Sequence, residues 1–279
     1  ADAKDLSNLF KTLYGDAKSS NFNHNVSLGY NQNLTKNSQL GIWAGRAQRS
    51  GSLTERFINR FAVGIDAFEL VGNPDIKPET NNQIDLIYTY KRENVFFQAD
   101  VFYSYLQDYI SGVIVPIKTY SMASPGTRQL QNIDKAYKTG AEARFNWQFL
   151  PKYRTELAVA YTYAEDIKTN NPLPEVAPLD FRWNFEADFS PVTLGINYRF
   201  SGKQDRINPN FGELKTKDFS VFDFNAKYNV FKNAHLTFDV LNIFDRAYSE
   251  HLSRAYSTNK TLRILSPGRS FSVGFSYSF

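Results

Sequence analysis

Ser270-Phe271-Ser272-Val273-Gly274-Phe275-Ser276-Tyr277-Ser278-Phe279 is the stretch whose reading decides the fold. Phe271, Val273, Phe275, Tyr277 and Phe279 alternate with four serines and a glycine. A period of two is that of an extended strand with one apolar face. The pattern recurs upstream. Phe181, Trp183, Phe185, Ala187 and Phe189 alternate with Arg182, Asn184, Glu186 and Asp188. Val192, Leu194, Ile196, Tyr198 and Phe200 alternate with Thr193, Gly195, Asn197 and Arg199, and Phe222, Phe224, Ala226, Tyr228 and Val230 with Asp223, Asn225, Lys227 and Asn229. Less regular versions lie near 22–31, 38–47, 82–92, 94–106, 136–148, 153–164 and 233–244.

About eleven strands result, each close to the ~9 to 11 residues that a tilted strand needs to cross a bilayer. A soluble sandwich would alternate as well, so the chemistry of the faces must decide. One face carries full charges such as Arg182, Glu186, Asp188, Arg199 and Lys227, which a dry core could not hold unpaired. The other is aromatic or aliphatic, with aromatics gathered near strand ends at Tyr88, Tyr90, Tyr161, Tyr163, Tyr198, Phe200 and Tyr228, as in the girdles of a membrane barrel. The expected fold is therefore an all-β transmembrane antiparallel β-barrel, apolar side chains toward lipid and charges toward a wet lumen.

Composition agrees. Mean hydropathy is −0.45, which for a helical protein would argue against a membrane, but barrel strands average to polar because their two faces differ. No run approaches the ~18 apolar residues of a spanning helix. Cys 0 removes disulfides, thiolate zinc sites and a thiol nucleophile. A net charge of +4 without a basic run does not argue for nucleic acid. Short connections at 92–94, 149–152, 190–191 and 231–233 alternate with long ones near 48–81, 107–135, 165–178, 201–217 and 246–267. In outer-membrane barrels the short turns are periplasmic and the long loops extracellular. Residues 5–14 suit one short helix within a loop.

Several segments together resemble the barrel of a TonB-dependent outer-membrane receptor. They are Gly72-Asn73-Pro74-Asp75-Ile76-Lys77-Pro78-Glu79-Thr80 ahead of a strand, Leu241-Asn242-Ile243-Phe244-Asp245-Arg246-Ala247-Tyr248, and Pro267-Gly268-Arg269-Ser270-Phe271. Arg49-Ser50-Gly51-Ser52-Leu53-Thr54-Glu55 is similar to the family's Arg-x-Pro-x-Leu-x-Glu, with Gly51 in place of the proline. The resemblance covers roughly residues 38–279. Physically, these motifs look architectural: the Lys77-Pro78 step feeds an extended strand, and Asn242 and Asp245 suit turns.

The resemblance implies the bacterial outer membrane and TonB-dependent active import of a scarce nutrient, most readily an iron chelate or metal ion. It also implies that residues 1–279 form the C-terminal half of a 22-stranded barrel, cut in an extracellular loop. The plug domain and the TonB-binding segment would then lie in the remaining N-terminal half. Implied partners are outer-membrane lipid, that half, the TonB complex through it, and the barrel-insertion machinery, which would read the alternating Phe271, Val273, Phe275, Tyr277 and Phe279. No cofactor is implied.

Candidate substrate contacts fall in long loops. Tyr248, Glu250, His251 and Arg254 cluster in one; Tyr120 and Met122 lie in another, Met122 as a soft ligand for copper. A single imidazole without spaced partners is not a coordination sphere. Arg144, Arg182, Arg199 and Lys227 on the lumenal face suit either a plug or an anionic solute. Two other functions remain at this point: a plugless diffusion porin of about twelve strands, and an outer-membrane hydrolase. Against the hydrolase, Ser249 and His251 have no G-x-S-x-G context.

Overall fold

The protein is described by a computed structural model over residues 11–12, 15, 18–59, 68–119, 122, 124–208, 211, 213–253 and 264–279. Its strands are β1 (Val26–Asn33), β2 (Ser38–Arg49), β3 (Glu69–Val71), β4 (Glu79–Arg92), β5 (Val95–Val115), β6 (Thr127–Leu150), β7 (Tyr153–Asp166), β8 (Asp180–Asp188), β9 (Val192–Ser201), β10 (Phe219–Phe231), β11 (Ala234–Leu241) and β12 (Ser270–Tyr277). Eleven of them form one antiparallel path, β1-β2-β4-β5-β6-β7-β8-β9-β10-β11-β12, and β3 joins β6 in parallel. Apart from β3, which leaves the path between β2 and β4, every step is between strands consecutive in the chain. Among the described residues β1 and β12 do not pair with each other. The sheet is open, as expected of half a barrel, and a closed twelve-stranded porin is not what forms.

Strand register separates the two faces. Phe224, Ala226 and Tyr228 face Val240, Phe238 and Leu236 across β10 and β11, and Leu236 and Phe238 face Phe275 and Val273 across to β12. Directly opposed residues share a face, so one surface is apolar from strand to strand. It stays exposed in the isolated chain, Leu28 by 79% and Val273 by 77%. In water each such side chain would forgo about 1.5–3 kcal/mol of burial, so this is the surface that meets lipid. No helix among the described residues is long and apolar enough to cross a membrane; the strands do the crossing.

Aromatics mark both edges of that band. At the short-turn end Trp147, Phe149, Tyr153 and Phe185 touch in sequence. At the opposite end Tyr103, Tyr137 and Tyr163 stack in a file, with centroids 6.2 and 5.8 Å apart. Tyr153 and Tyr163 bracket the band on β7. Their ten-residue spacing, at about 3.3 Å per residue and a tilt near 40°, spans about 25 Å, the height of a barrel's apolar belt.

The other face carries ion pairs between and along strands: Arg144–Glu156 at 3.0 Å, Arg154–Glu186, and Asp180 between Arg182 and Arg199 at 2.7 Å each. Arg154, Glu156, Asn184 and Asn197 help to line a hollow of about 570 Å³ on this face. One face of a sheet encloses such a hollow by curving round it, so the charged side is the lumenal side.

Three features depart from the sequence reading. The expected loop at 107–135 is mostly strand: β5 and β6 continue as a hairpin beyond the membrane, with Tyr109–Val115 paired to Thr127–Ile133. Asp108, with φ 53°, marks the one gap in this ladder, and the register is the same on either side of it. The 48–81 connection holds a short helix, Leu53–Phe57, and β3. Burial of the larger apolar side chains also sits at the extracellular end and not along the wall. Leu106, Ala136, Ala164 and Leu173 cluster there under the loops, and Val71 and Ile76 of the 48–81 connection are closed off as well. Wall side chains have lipid to meet; loop side chains have only each other. The expected helix at 5–14 falls almost wholly outside the described residues.

Candidate functional site

Two motif clusters build the frame of the extracellular mouth. Arg49, the last residue of β2, grips Glu55 with two guanidinium nitrogens (2.7 and 3.1 Å) and Glu79 with Nε (2.8 Å). Glu55 is also half of a capping box: Ser52 N–H donates to its carboxylate, and its own N–H donates to Ser52 Oγ. One carboxylate thus ends a strand and starts a helix. Gly72 runs against that helix so closely that a Cβ would stand 2.5 Å from the Arg56 carbonyl oxygen. In the second cluster Asn242 holds φ at 51°, donates to the Arg246 and Pro267 carbonyls, and accepts from Arg246 N–H. Asp245 accepts from Arg269 N–H at 2.8 Å. Both motifs are architectural, as their residue types suggested.

Between these clusters the 248–251 segment folds onto the lumenal wall. Tyr248 packs on Phe219, with ring centroids 4.2 Å apart. Glu250 forms a two-pronged pair with Arg199, which at the same time holds Asp180. Bidentate arginine–carboxylate geometry is among the stronger polar contacts. His251, expected in a solvated loop, is instead buried. Its Nδ1 lies 2.9 Å from Thr216 Oγ1, and its Nε2 lies 3.6 Å from Glu213. Burial pushes the Glu213 carboxyl up, but the nearby His251 ring and hydrogen bonds from the Asn208 and Glu175 backbone amides outweigh it, and the net shift is downward.

Of the other candidates, Met122 is fully exposed at the tip of the β5–β6 hairpin. Tyr120 and Arg254 lie outside the described residues. The structure brings Tyr248, Glu250 and His251 together, but each is turned to a neighbour within the protein. Their partners Phe219, Thr216, Glu213 and Arg199 lie 29 to 51 residues away in sequence. No local pattern could have named them. Among the described residues no three His, Asp or Glu side chains converge into a group able to hold a metal ion.

The sequence profile of the family described as "TonB dependent receptor-like, beta-barrel" matches residues 2–243. This chain is a TonB-dependent receptor β-barrel. Among curated proteins it is similar to the "Heme/hemopexin utilization protein C" of Haemophilus influenzae, with 24% identity over 78% of this chain and 34% of that one. It is also similar to the "Iron-regulated outer membrane virulence protein" of Vibrio cholerae, with 25% identity over 65% of this chain and 30% of that one. Among solved structures it superposes on "Copper transporter OprC" with a TM-score of 0.78 and 25% identity, covering 91% of this chain and 39% of that one. The siderophore receptor PirA of Acinetobacter baumannii gives a TM-score of 0.69 at 19% identity, covering 91% and 41%. The chain thus spans about a third of the curated relatives' length and about two fifths of the structures'. Its place is the bacterial outer membrane, where receptors of this family reside.

Proposed function

We propose that this receptor barrel forms part of the wall and mouth of a transporter that takes up a metal chelate across the outer membrane, driven by TonB. The observation that carries the reading is the 248–251 segment pinned by Arg199 and Thr216 over a charged lumenal wall. It places loop surface where an incoming solute meets the pore. A chelate is favoured over a bare ion by the relatives, which include a heme utilization protein and a siderophore receptor. Arg182, paired through Nε with Asp180 at 2.7 Å but with 59% of its side chain exposed, keeps donors for an anionic chelate at the mouth. In this reading Glu250 and His251 hold the segment against the wall and do not touch the chelate, whereas the exposed Met122 is free to meet it from the hairpin tip. The plug and the TonB contact belong to the remaining part of the receptor, and the paired lumenal arginines border that plug.

The test is uptake. The full-length receptor is expressed in a strain stripped of its outer-membrane iron receptors and offered radiolabelled haem, ferric catecholates, ferric hydroxamates and copper salts. The expected result is TonB-dependent uptake of one of the chelates. Uptake that persists without TonB would identify a diffusion pore. Uptake of copper salt alone would overturn the chelate.

A further inference from the structure

β8 pairs with β7 only as far as Ala160 opposite Asp180, yet β7 continues to Asp166. Beyond Ala160 β7 loses β8 as a neighbour on that side and is paired again only at its upper end, by the Glu165–Pro172 bridge, so the sheet is notched between the two near its extracellular edge. The loops after β7 and β9 close over the notch, tied by Gly202 N–H to the Leu179 carbonyl and by Gln204 Nε2 to the Val176 carbonyl. A cleft of about 220 Å³ remains, bordered by Tyr161, Tyr163, Pro178, Leu179, Lys203 and Arg206.

The position of this cleft is unusual. Tyr161 and Tyr163 share the face of Leu157 and Val159, alternate residues on the lipid side of β7. Tyr163 is the last ring of the Tyr103–Tyr137–Tyr163 file that marks the extracellular edge of the apolar band. The Arg206 guanidinium caps that file, 3.4 Å from the Tyr163 centroid. The cleft thus opens toward the outer leaflet at the depth of the head groups, with apolar and aromatic walls below and two cations above. Cations that border lipid stand at that level with their stems along apolar surface.

Both cations have donors to spare. Arg206 gives Nη2 to Glu165 at 2.8 Å, and Lys203 reaches Asp205 at 2.9 Å. A guanidinium carries five N–H donors and an ammonium three. The carboxylates therefore orient the two groups without exhausting them, and 70% of the Lys203 side chain and 36% of that of Arg206 remain exposed. A phosphate monoester brings up to two negative charges and three acceptor oxygens, more than either carboxylate offers. We infer that this notch binds an outer-leaflet lipid with a phosphate-bearing head group: phosphate on Lys203 and Arg206, a sugar or glycerol hydroxyl donating to the Tyr163 oxygen, whose own proton is held by Glu165 at 2.6 Å, and acyl chain over Tyr161 and Leu179.

Native mass spectrometry of the full-length receptor in detergent tests it. The receptor is titrated with diphosphorylated lipid A, with enzymatically dephosphorylated lipid A, and with inorganic phosphate. The phosphorylated lipid is expected to bind, and removing its phosphates or making Lys203→Gln/Arg206→Gln should weaken binding about tenfold or more. Equal binding by the double variant, or equal binding of the dephosphorylated lipid, overturns the inference. Displacement of the lipid by inorganic phosphate at matched concentration overturns it too, because the site would then be one for a free anion. Heat-modifiable migration on a gel checks folding. If the double variant fails that check, Lys203→Gln alone decides, since it leaves the Arg206–Glu165 pair intact, and a loss of about threefold is expected for one charged contact.

Discussion

Arg199 is the residue on which the mouth depends most. It grips Glu250 with two nitrogens and Asp180 with a third, so it joins the 248–251 segment to β8 and β9 at once. Arg199→Ala should free that segment while leaving the strands paired. Hydrogen exchange of amides 246–253 should rise about tenfold, the loss of one charge-assisted contact at a locally opening site; unchanged exchange would deny the tie. Glu213 makes a prediction in pH. Its carboxyl titrates below the ordinary glutamate range in the folded protein because the ionised form faces the His251 ring and accepts from two amides. A lowered folded value means that the contribution is complete above the unfolded value, about 4.3, and is lost as pH falls through the lowered one. Protection around 213–216 should therefore hold from neutral pH to about pH 5 and fall in more acidic buffer. The Glu213→Gln variant should show no such fall. These contacts could not be foreseen from sequence. His251 has the composition of a solvated loop residue, and only the arrival of Thr216 and Glu213, 35 and 38 residues earlier, buries it.

Elements were far more legible than contacts, for a physical reason. In a membrane wall each strand's pattern is set by two solvents, lipid and water, and both act on every residue independently of its distant neighbours. Hence β8, β9 and β12 stand close to where strict alternation puts them. Where the chain leaves the membrane that constraint ends. The upper halves of β5 and β6 are apolar and polar in no fixed order, because they meet β3 and Phe68 from the 48–81 connection and not a uniform solvent. Alternation cannot reveal them. On β12 the constraint gives a sharp test. Val273→Lys faces hydrocarbon and should cost about 2–4 kcal/mol in folding free energy into bilayers, whereas Ser272→Lys, on the wet face beside Asp239, should cost little. Equal costs would contradict the facing. The Asn242 turn is a second test. Asn242→Ala gives up three side-chain hydrogen bonds at a positive φ and should destabilise by about 1–3 kcal/mol, read as a lower unfolding temperature.

At the scale of the whole molecule, part of a TonB-dependent receptor barrel is here seen as an open sheet whose edge strands, β1 and β12, are each unpaired on one side among the described residues. Backbone groups along β1 and β12 cannot stay unpaired in hydrocarbon at several kcal/mol each, so further strands must complete the wall. The chain expressed by itself should accordingly fail to give the compact, heat-modifiable form that the full receptor gives. The orientation of the wall is the claim on which transport, lipid contact and the lumenal mouth all depend. It is measured most directly by spin-label accessibility in bilayers. This part of the receptor contains Cys 0, so once any cysteine in the remaining part is replaced, single cysteines can be placed one at a time from 181 to 200 in the full-length receptor. Labels at 181, 183, 185, 194, 196 and 198 should collide with lipid-dissolved oxygen, and those at 182, 184, 186, 193, 195 and 197 with a water-soluble nickel chelate or with protein filling the lumen. Opposite phase, or no period of two, would contradict it.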